Sequence, residues 1–171
     1  MKRLTLLRHG HAEPHADGGD HERALDARGR AAAARAARAV LDAFGKPDLA
    51  LASAALRTRQ TAEIFCQQAS GTPGEPAGPA MPLRFEAALY HAPWRDLLAT
   101  VQGTGDTVGH LLLVGHNPGI SELALHWANS LNAGGRFTGF APAGWCSLEF
   151  AAQAWGALPL PVAGHFAPST D

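Results

Sequence analysis

The chain has 171 residues, 46% hydrophobic and 17% charged, the makeup of one ordinary globular domain rather than a disordered segment. Its fourteen Lys and Arg against fifteen Asp and Glu leave a net charge of −1, which excludes the broad basic field of a nucleic-acid binder and any strongly acidic tail. No apolar run approaches the roughly 20 residues needed to span a bilayer, and Arg8 and His9 end the opening apolar stretch too early for a signal peptide.

In chain order, residues 3–7 read as a first strand that ends at Arg8-His9-Gly10. A polar loop rich in His, Asp and Gly follows to about residue 25. Asp26 is placed to cap a helix that runs through an alanine- and arginine-rich stretch to Phe44. Its arginines, Arg28, Arg30, Arg35 and Arg38, belong to a solvated face, because a nucleic-acid patch needs more net charge and aromatic partners. Gly45-Lys46-Pro47 breaks the helix, residues 48–52 form a second strand, and Ser53 opens a second helix to about Gln68. Residues 70–80 carry too many Gly and Pro for a ladder or helix and read as a loop. A linker between two domains is the competing view, but neither flank is long enough to fold well alone. The expectation is one domain, residues 1–171.

A short strand near Leu83 to Phe85 leads to a helix starting around Pro93. The most apolar strand, His110-Leu111-Leu112-Leu113-Val114, suits a central position buried on both faces. It ends at Gly115-His116-Asn117-Pro118-Gly119. A helix over Ile120 to about Leu131, a late strand over Trp145 to Phe150, and a tail from Pro159 with a strand remnant and then coil complete the reading. Strand and helix alternate throughout, which points to an α/β layered fold with a mainly parallel sheet. Trp94, Trp127, Trp145 and Trp155 show no stacking-platform order and read as core or subunit contacts. Cys66 and Cys146 match no metal or redox spacing and read as reduced, buried thiols of a cytoplasmic protein.

In open α/β sheets ligands bind beyond the carboxyl ends of the strands. Three such ends carry Arg8-His9-Gly10, Ser53 through Arg57, and Gly115-His116-Asn117. Two histidines and two arginines can therefore meet in one pocket. Guanidinium forks match phosphate oxygens and stay charged at any working pH, and a neutral histidine is a nucleophile.

These blocks resemble those of the histidine phosphatase superfamily, whose signature is Arg-His-Gly at the end of the first strand. The likeness continues through Ser53-Ala54-Ala55-Leu56-Arg57-Thr58-Arg59-Gln60-Thr61-Ala62, Ala88-Leu89-Tyr90-His91-Ala92 and Leu112-Leu113-Val114-Gly115-His116-Asn117-Pro118. The Leu-Tyr and Gly-His-Asn-Pro wording, with Arg23-Ala24-Leu25-Asp26-Ala27-Arg28-Gly29, is similar to the small SixA-type phosphohistidine phosphatases. The resemblance implies an α/β three-layer sandwich like that of phosphoglycerate mutase. It makes His9 the nucleophile, Arg8 and Arg57 a clamp on the phosphoryl oxygens, and His116 a further donor. Gly10 and Gly115 would let the backbone approach the phosphate. Asn117 stands next to His116 at a helix start, where capping competes with substrate contact. Arg23 either faces substrate or is a solvated loop arginine. No cofactor is implied.

Many members of this superfamily carry a carboxylic acid just before the third block to protonate an ester's leaving oxygen. The equivalent position here is Ala87, with Glu86 displaced by one residue. On a strand that shift turns the side chain to the other face, and in a loop it can still swing in. An absent acid disfavours alkyl esters and fits phosphohistidine in a protein, whose leaving nitrogen protonates readily. A small phosphate ester is the alternative substrate, and a non-catalytic phosphate-binding module the alternative role. His11, His15, Asp17, Asp20 and His21 crowd the first loop without a standard zinc spacing, so no metal is expected there.

Overall fold

A computed structural model of the chain describes residues 1–71, 80–131 and 137–167. Its elements are β1 (Lys2–Arg8), α1 (Ala27–Phe44), β2 (Leu49–Ser53), α2 (Leu56–Ala69), β3 (Leu83–Glu86), α3 (Trp94–Gln102), β4 (His110–Gly115), α4 (Gly119–Ala128), β5 (Trp145–Phe150) and β6 (Ala163–Phe166). The strands form one six-stranded sheet in the order β3-β2-β4-β1-β5-β6. The first four run parallel, whereas β5 and β6 are antiparallel additions at one edge.

Period-two alternation along the strands divides the apolar residues between two faces. Leu4, Leu6, Leu111 and Leu113 pack with Leu97 and Val101 of α3 and with Ile120, Leu123 and Trp127 of α4. Leu7, Ala50, Ala52, Leu112 and Val114 pack on the other side with Ala36, Ala37 and Val40 of α1 and with Phe65 of α2. A central strand such as β4 is thus buried on both faces, which is why its sequence lacks alternation. The result is the expected three-layer α/β arrangement.

Local signals explain the helix ends. Asp26 caps α1, its carboxylate accepting from the Gly29 N–H at 2.6 Å. Gly45, at φ 75°, closes the helix in the left-handed region that glycine tolerates. Ser53 departs from expectation. It does not open α2 but ends β2, fully buried, and α2 begins only at Leu56. The arginines of α1 are exposed. Trp127, Trp145 and Trp155 are buried, and the Trp155 indole donates to the Val108 carbonyl at 2.8 Å. Trp94 is half-buried and stacks on His126. Both cysteines are free, Cys146 buried and Cys66 only partly so. The expected loop at 70–80 lies largely outside the described residues, as do residues 168–171 of the tail.

The strand order fixes where chemistry can occur. β2, β4 and β1 lie side by side and parallel, with Arg8 opposite Gly115 and Ala52 opposite Val114. Their carboxyl ends, and the three sequence blocks that follow them, therefore converge on one rim of the sheet.

Candidate active site

His9 sits just beyond β1. Its main chain is pinned on both sides, the N–H donating to the Gly115 carbonyl and the C=O accepting from Ala143 N–H. Its Nδ1 lies 2.7 Å from the Gly10 carbonyl. A carbonyl can only accept, so Nδ1 carries the proton and Nε2 holds the free lone pair. Burial, with smaller contributions from Arg57, Arg8 and Arg23, lowers the His9 pKa to about 4 against the raising effect of the Gly10 bond. The imidazole is thus neutral at pH 7.

His116 follows β4 and is 3% exposed. Its ring centroid stands 5.1 Å from that of His9. Nε2 is 2.8 Å from Ser53 Oγ, and Arg57 Nη2 approaches Nδ1 at 3.4 Å. Arginine only donates, so Nδ1 accepts and Nε2–H donates to Ser53. Burial first, then His9, Arg57 and His91, lowers the pKa of this ring to about 3.

Arg57, on the first turn of α2, is 2% exposed. Its Nη1 donates to the Asp20 carbonyl at 2.6 Å and its Nη2 to Asp20 Oδ2 at 2.9 Å. Arg8 donates from Nη1 to the Phe140 carbonyl at 2.8 Å, while its buried Nε has no hydrogen-bond partner among the described residues. An unmatched buried guanidinium N–H is costly unless an acceptor reaches it, and a phosphoryl oxygen is such an acceptor. The pocket therefore combines one neutral nucleophilic imidazole, a second imidazole, the buried guanidinium of Arg57 and the half-buried one of Arg8.

The remaining expected residues divide. Gly10 is required by packing, since a Cβ there would lie 2.6 Å from the Gly29 carbonyl oxygen; at Gly115 a Cβ would be 3.2 Å from Ile120 Cδ1. Asn117 does not cap α4. Its amide donates to the Phe140 carbonyl at 3.0 Å and accepts from Ser121 Oγ at 2.6 Å, so it braces the carbonyl that also holds Arg8. Arg23 joins the site rim, donating to the Glu13 carbonyl at 2.6 Å and to Asp20 Oδ1 at 2.8 Å. Glu86 is exposed and lines a groove with Arg84, Thr100 and Gly103. Among the described residues it has no hydrogen bond or ion pair to His9, Arg57 or His116.

Sequence reasoning missed several participants. Ser53 orients His116. Thr61 Oγ1 accepts from the Gly10 N–H at 3.2 Å and donates to the Arg57 carbonyl at 2.7 Å. Gln60 holds the first loop through the Leu25 N–H at 2.7 Å. All three stand in the second block, whose Ser, Gln and Thr were the available signal. Tyr90 and His91 of the third block fold over the pocket, their rings 5.4 and 4.9 Å from His116. Asp20, weighed only as a metal ligand, instead meets Arg57, Arg23, Tyr90 and His91. Among the described residues no three His, Cys, Asp or Glu side chains gather as a metal-binding group.

The family model of the histidine phosphatase superfamily (branch 1) matches residues 4–76. That stretch contains Arg8, His9 and Arg57, and the structure supplies His116 from the other half of the chain. Over that stretch the chain is similar to the histidine phosphatase superfamily. A protein from Agrobacterium tumefaciens assigned as the phosphohistidine phosphatase SixA aligns over 86% of this chain and 91% of its own, with TM-score 0.71 and 29% identity. The protein histidine phosphatase SixA solved with tungstate shares the fold at TM-score 0.69 and 19% identity, over 96% of this chain and 94% of its own. A mycobacterial glucosyl-3-phosphoglycerate phosphatase shares it at TM-score 0.60 and 17% identity, over 92% and 95% of the two chains. The search of curated proteins gives no match. No helix among the described residues is long and apolar enough to cross a membrane.

Proposed function

We propose that this chain is a histidine phosphatase that acts through a phospho-His9 intermediate, without a metal ion, and removes the phosphoryl group from phosphohistidine in a protein. The observation that carries the reading is the tautomer of His9: its Nδ1–H is committed to the Gly10 carbonyl, so Nε2 presents a lone pair in the field of Arg57 and Arg8. Arg8 and Arg57 would bind the phosphoryl oxygens, satisfying the Arg8 N–H that has no acceptor among the described residues. His9 Nε2 then attacks phosphorus as the bond to the leaving nitrogen breaks. The leaving imidazole takes a proton from solvent or a rim group. Water attacks phospho-His9 in the second half-reaction, returning neutral His9 and inorganic phosphate.

The leaving group favours phosphohistidine. Glu86 lies away from the pocket. Asp20 is held well below the usual carboxylate range by the hydrogen bond from Tyr90, then by Arg23, Arg57 and His91; an ionised carboxylate of this kind has no proton to give. An alkoxide departs poorly without an acid, whereas an imidazole does not need a dedicated one. A small phosphomonoester is the second reading, favoured by His91, an exposed imidazole on the rim beside His116. The SixA-like neighbour and the free thiols support a phosphorylated protein partner met in the cytoplasm, with residues 1–171 acting as one domain.

The test is phosphate release, with no added metal, from a phosphohistidine peptide beside a panel of phosphate esters. Turnover of phosphohistidine well above the esters is expected. Faster turnover of alkyl esters would favour the second reading, and release from neither by a folded protein would refute both.

A further inference from the structure

Asp20 stands in a 3₁₀ turn, Asp20–Glu22, of the long first loop. Its side chain is 44% exposed, yet all three of its oxygens are engaged. The main-chain carbonyl accepts from Arg57 Nη1 at 2.6 Å. Oδ1 accepts from Arg23 at 2.8 Å. Oδ2 accepts from Arg57 Nη2 at 2.9 Å and from the Tyr90 hydroxyl at 2.6 Å, with His91 Nε2 at 3.3 Å. Two oxygens on the buried Arg57 guanidinium and a third on Arg23, with Tyr90 and His91 beside them, resemble the set of acceptors that a phosphoryl group offers. Arg57 is among the residues assigned above to hold that group, and its Nη atoms cannot serve Asp20 fully and a phosphoryl dianion at once.

We propose that Asp20 is a resident anion of the phosphoryl subsite, which substrate enters by exchanging with it. The proposal rests on the phosphoryl-binding role given to Arg57 under the proposed function and deepens it. In the resting protein the Asp20 carboxylate neutralises Arg57 and shields the pocket from stray anions. A phosphoryl dianion carries twice the charge and brings three oxygens on one centre, so it displaces the carboxylate, and the 3₁₀ turn moves outward with it. Arg23 and Tyr90, which also hold Asp20, are released in the same step. Because Asp20 is tethered, the fraction of molecules with a free subsite sets the apparent affinity, which falls below the intrinsic one by that fraction. Asp20 is thus an affinity-setting residue and not a proton donor.

The experiment is calorimetric titration of the full-length protein with inorganic phosphate, comparing wild type with Asp20→Asn and Asp20→Ala, thermal unfolding confirming that each is folded. Removing the competing charge is expected to tighten phosphate binding about tenfold or more in both variants. A structural or catalytic-acid role makes the opposite prediction, because losing a brace or donor does not raise affinity for an anion. Unchanged or weaker phosphate binding in both variants would overturn the proposal, as would a folded wild type and variants that bind no phosphate. The readout needs no turnover: a protein that hydrolyses no phosphohistidine but binds phosphate more tightly on Asp20→Asn would refute the proposed function and leave the exchange standing.

Discussion

Replacing Ser53 with Ala probes the least obvious part of the site. His116 is buried at 3% exposure, and its Nε2–H has Ser53 Oγ as acceptor at 2.8 Å. Loss of the hydroxyl leaves a buried N–H unsatisfied, a cost of about 1–3 kcal/mol. The ring cannot escape by changing tautomer, because a proton on Nδ1 would face the N–H of Arg57. For a domain of this size that destabilisation corresponds to a fall of roughly 2–10 °C in Tm. Catalysis should suffer more than stability suggests: a ring free to tilt no longer receives Arg57 Nη2 at Nδ1, and small misplacements of that guanidinium cost up to about 100-fold in rate. Urea unfolding at pH 7 gives the first quantity, and kcat/KM on the substrate found by the release assay gives the second. A Ser53→Ala protein with wild-type stability and wild-type kcat/KM would refute the assigned tautomer and the role of the serine.

Other consequences are open to direct measurement. Arg57→Lys keeps a charge but loses the fork that spans two acceptors; kcat/KM should fall about 10²–10³-fold, and a change under twofold in steady-state assays would count against the clamp. Glu86→Gln should leave kcat on phosphohistidine and on esters within about twofold, the usual range for an exposed substitution; lost ester hydrolysis would instead restore Glu86 as the acid. His110, buried against Thr5 Oγ1, has its pKa lowered from 6.5 to about 4 by burial, with a smaller lowering from Arg3. The unfolded chain therefore binds a proton between these values that the folded one refuses. Stability is complete above pH 6.5 and is lost as pH falls toward 4, by at most about 3 kcal/mol from this residue. Urea unfolding across that window should show a shallower pH slope in His110→Gln than in wild type, and identical slopes would contradict the assignment.

The layered fold and the convergence of His9, Arg8, Arg57 and His116 were legible because they rest on local patterns. The all-leucine run of β4 marks a strand covered on both faces, and each site residue follows a strand end, so parallel neighbours bring them together. Ser53 was misread because a serine ahead of an apolar stretch is a common helix signal. Here the residue is drawn into the sheet by pairing and by the His116 bond, both long-range. The bracing role of Asn117 was hidden for the same reason: its partner Phe140 lies 23 residues away, and nothing in the local sequence names it. Asp20 was hidden by its setting in a polar loop. A lone Asp among histidines suggests a metal, and only the fold shows that Arg57, Arg23, Tyr90 and His91 close around it.

The central claim is that His9 becomes covalently phosphorylated. Rapid mixing with a phosphohistidine substrate, quenching under alkaline conditions that spare the P–N bond, and peptide mass spectrometry would test it directly. The account predicts one transient phosphoryl group on the peptide containing His9, lost at the rate of turnover and absent from His9→Ala. Turnover of substrate by His9→Ala at the wild-type rate, or a phosphoryl group found on His116 and never on His9, would contradict it.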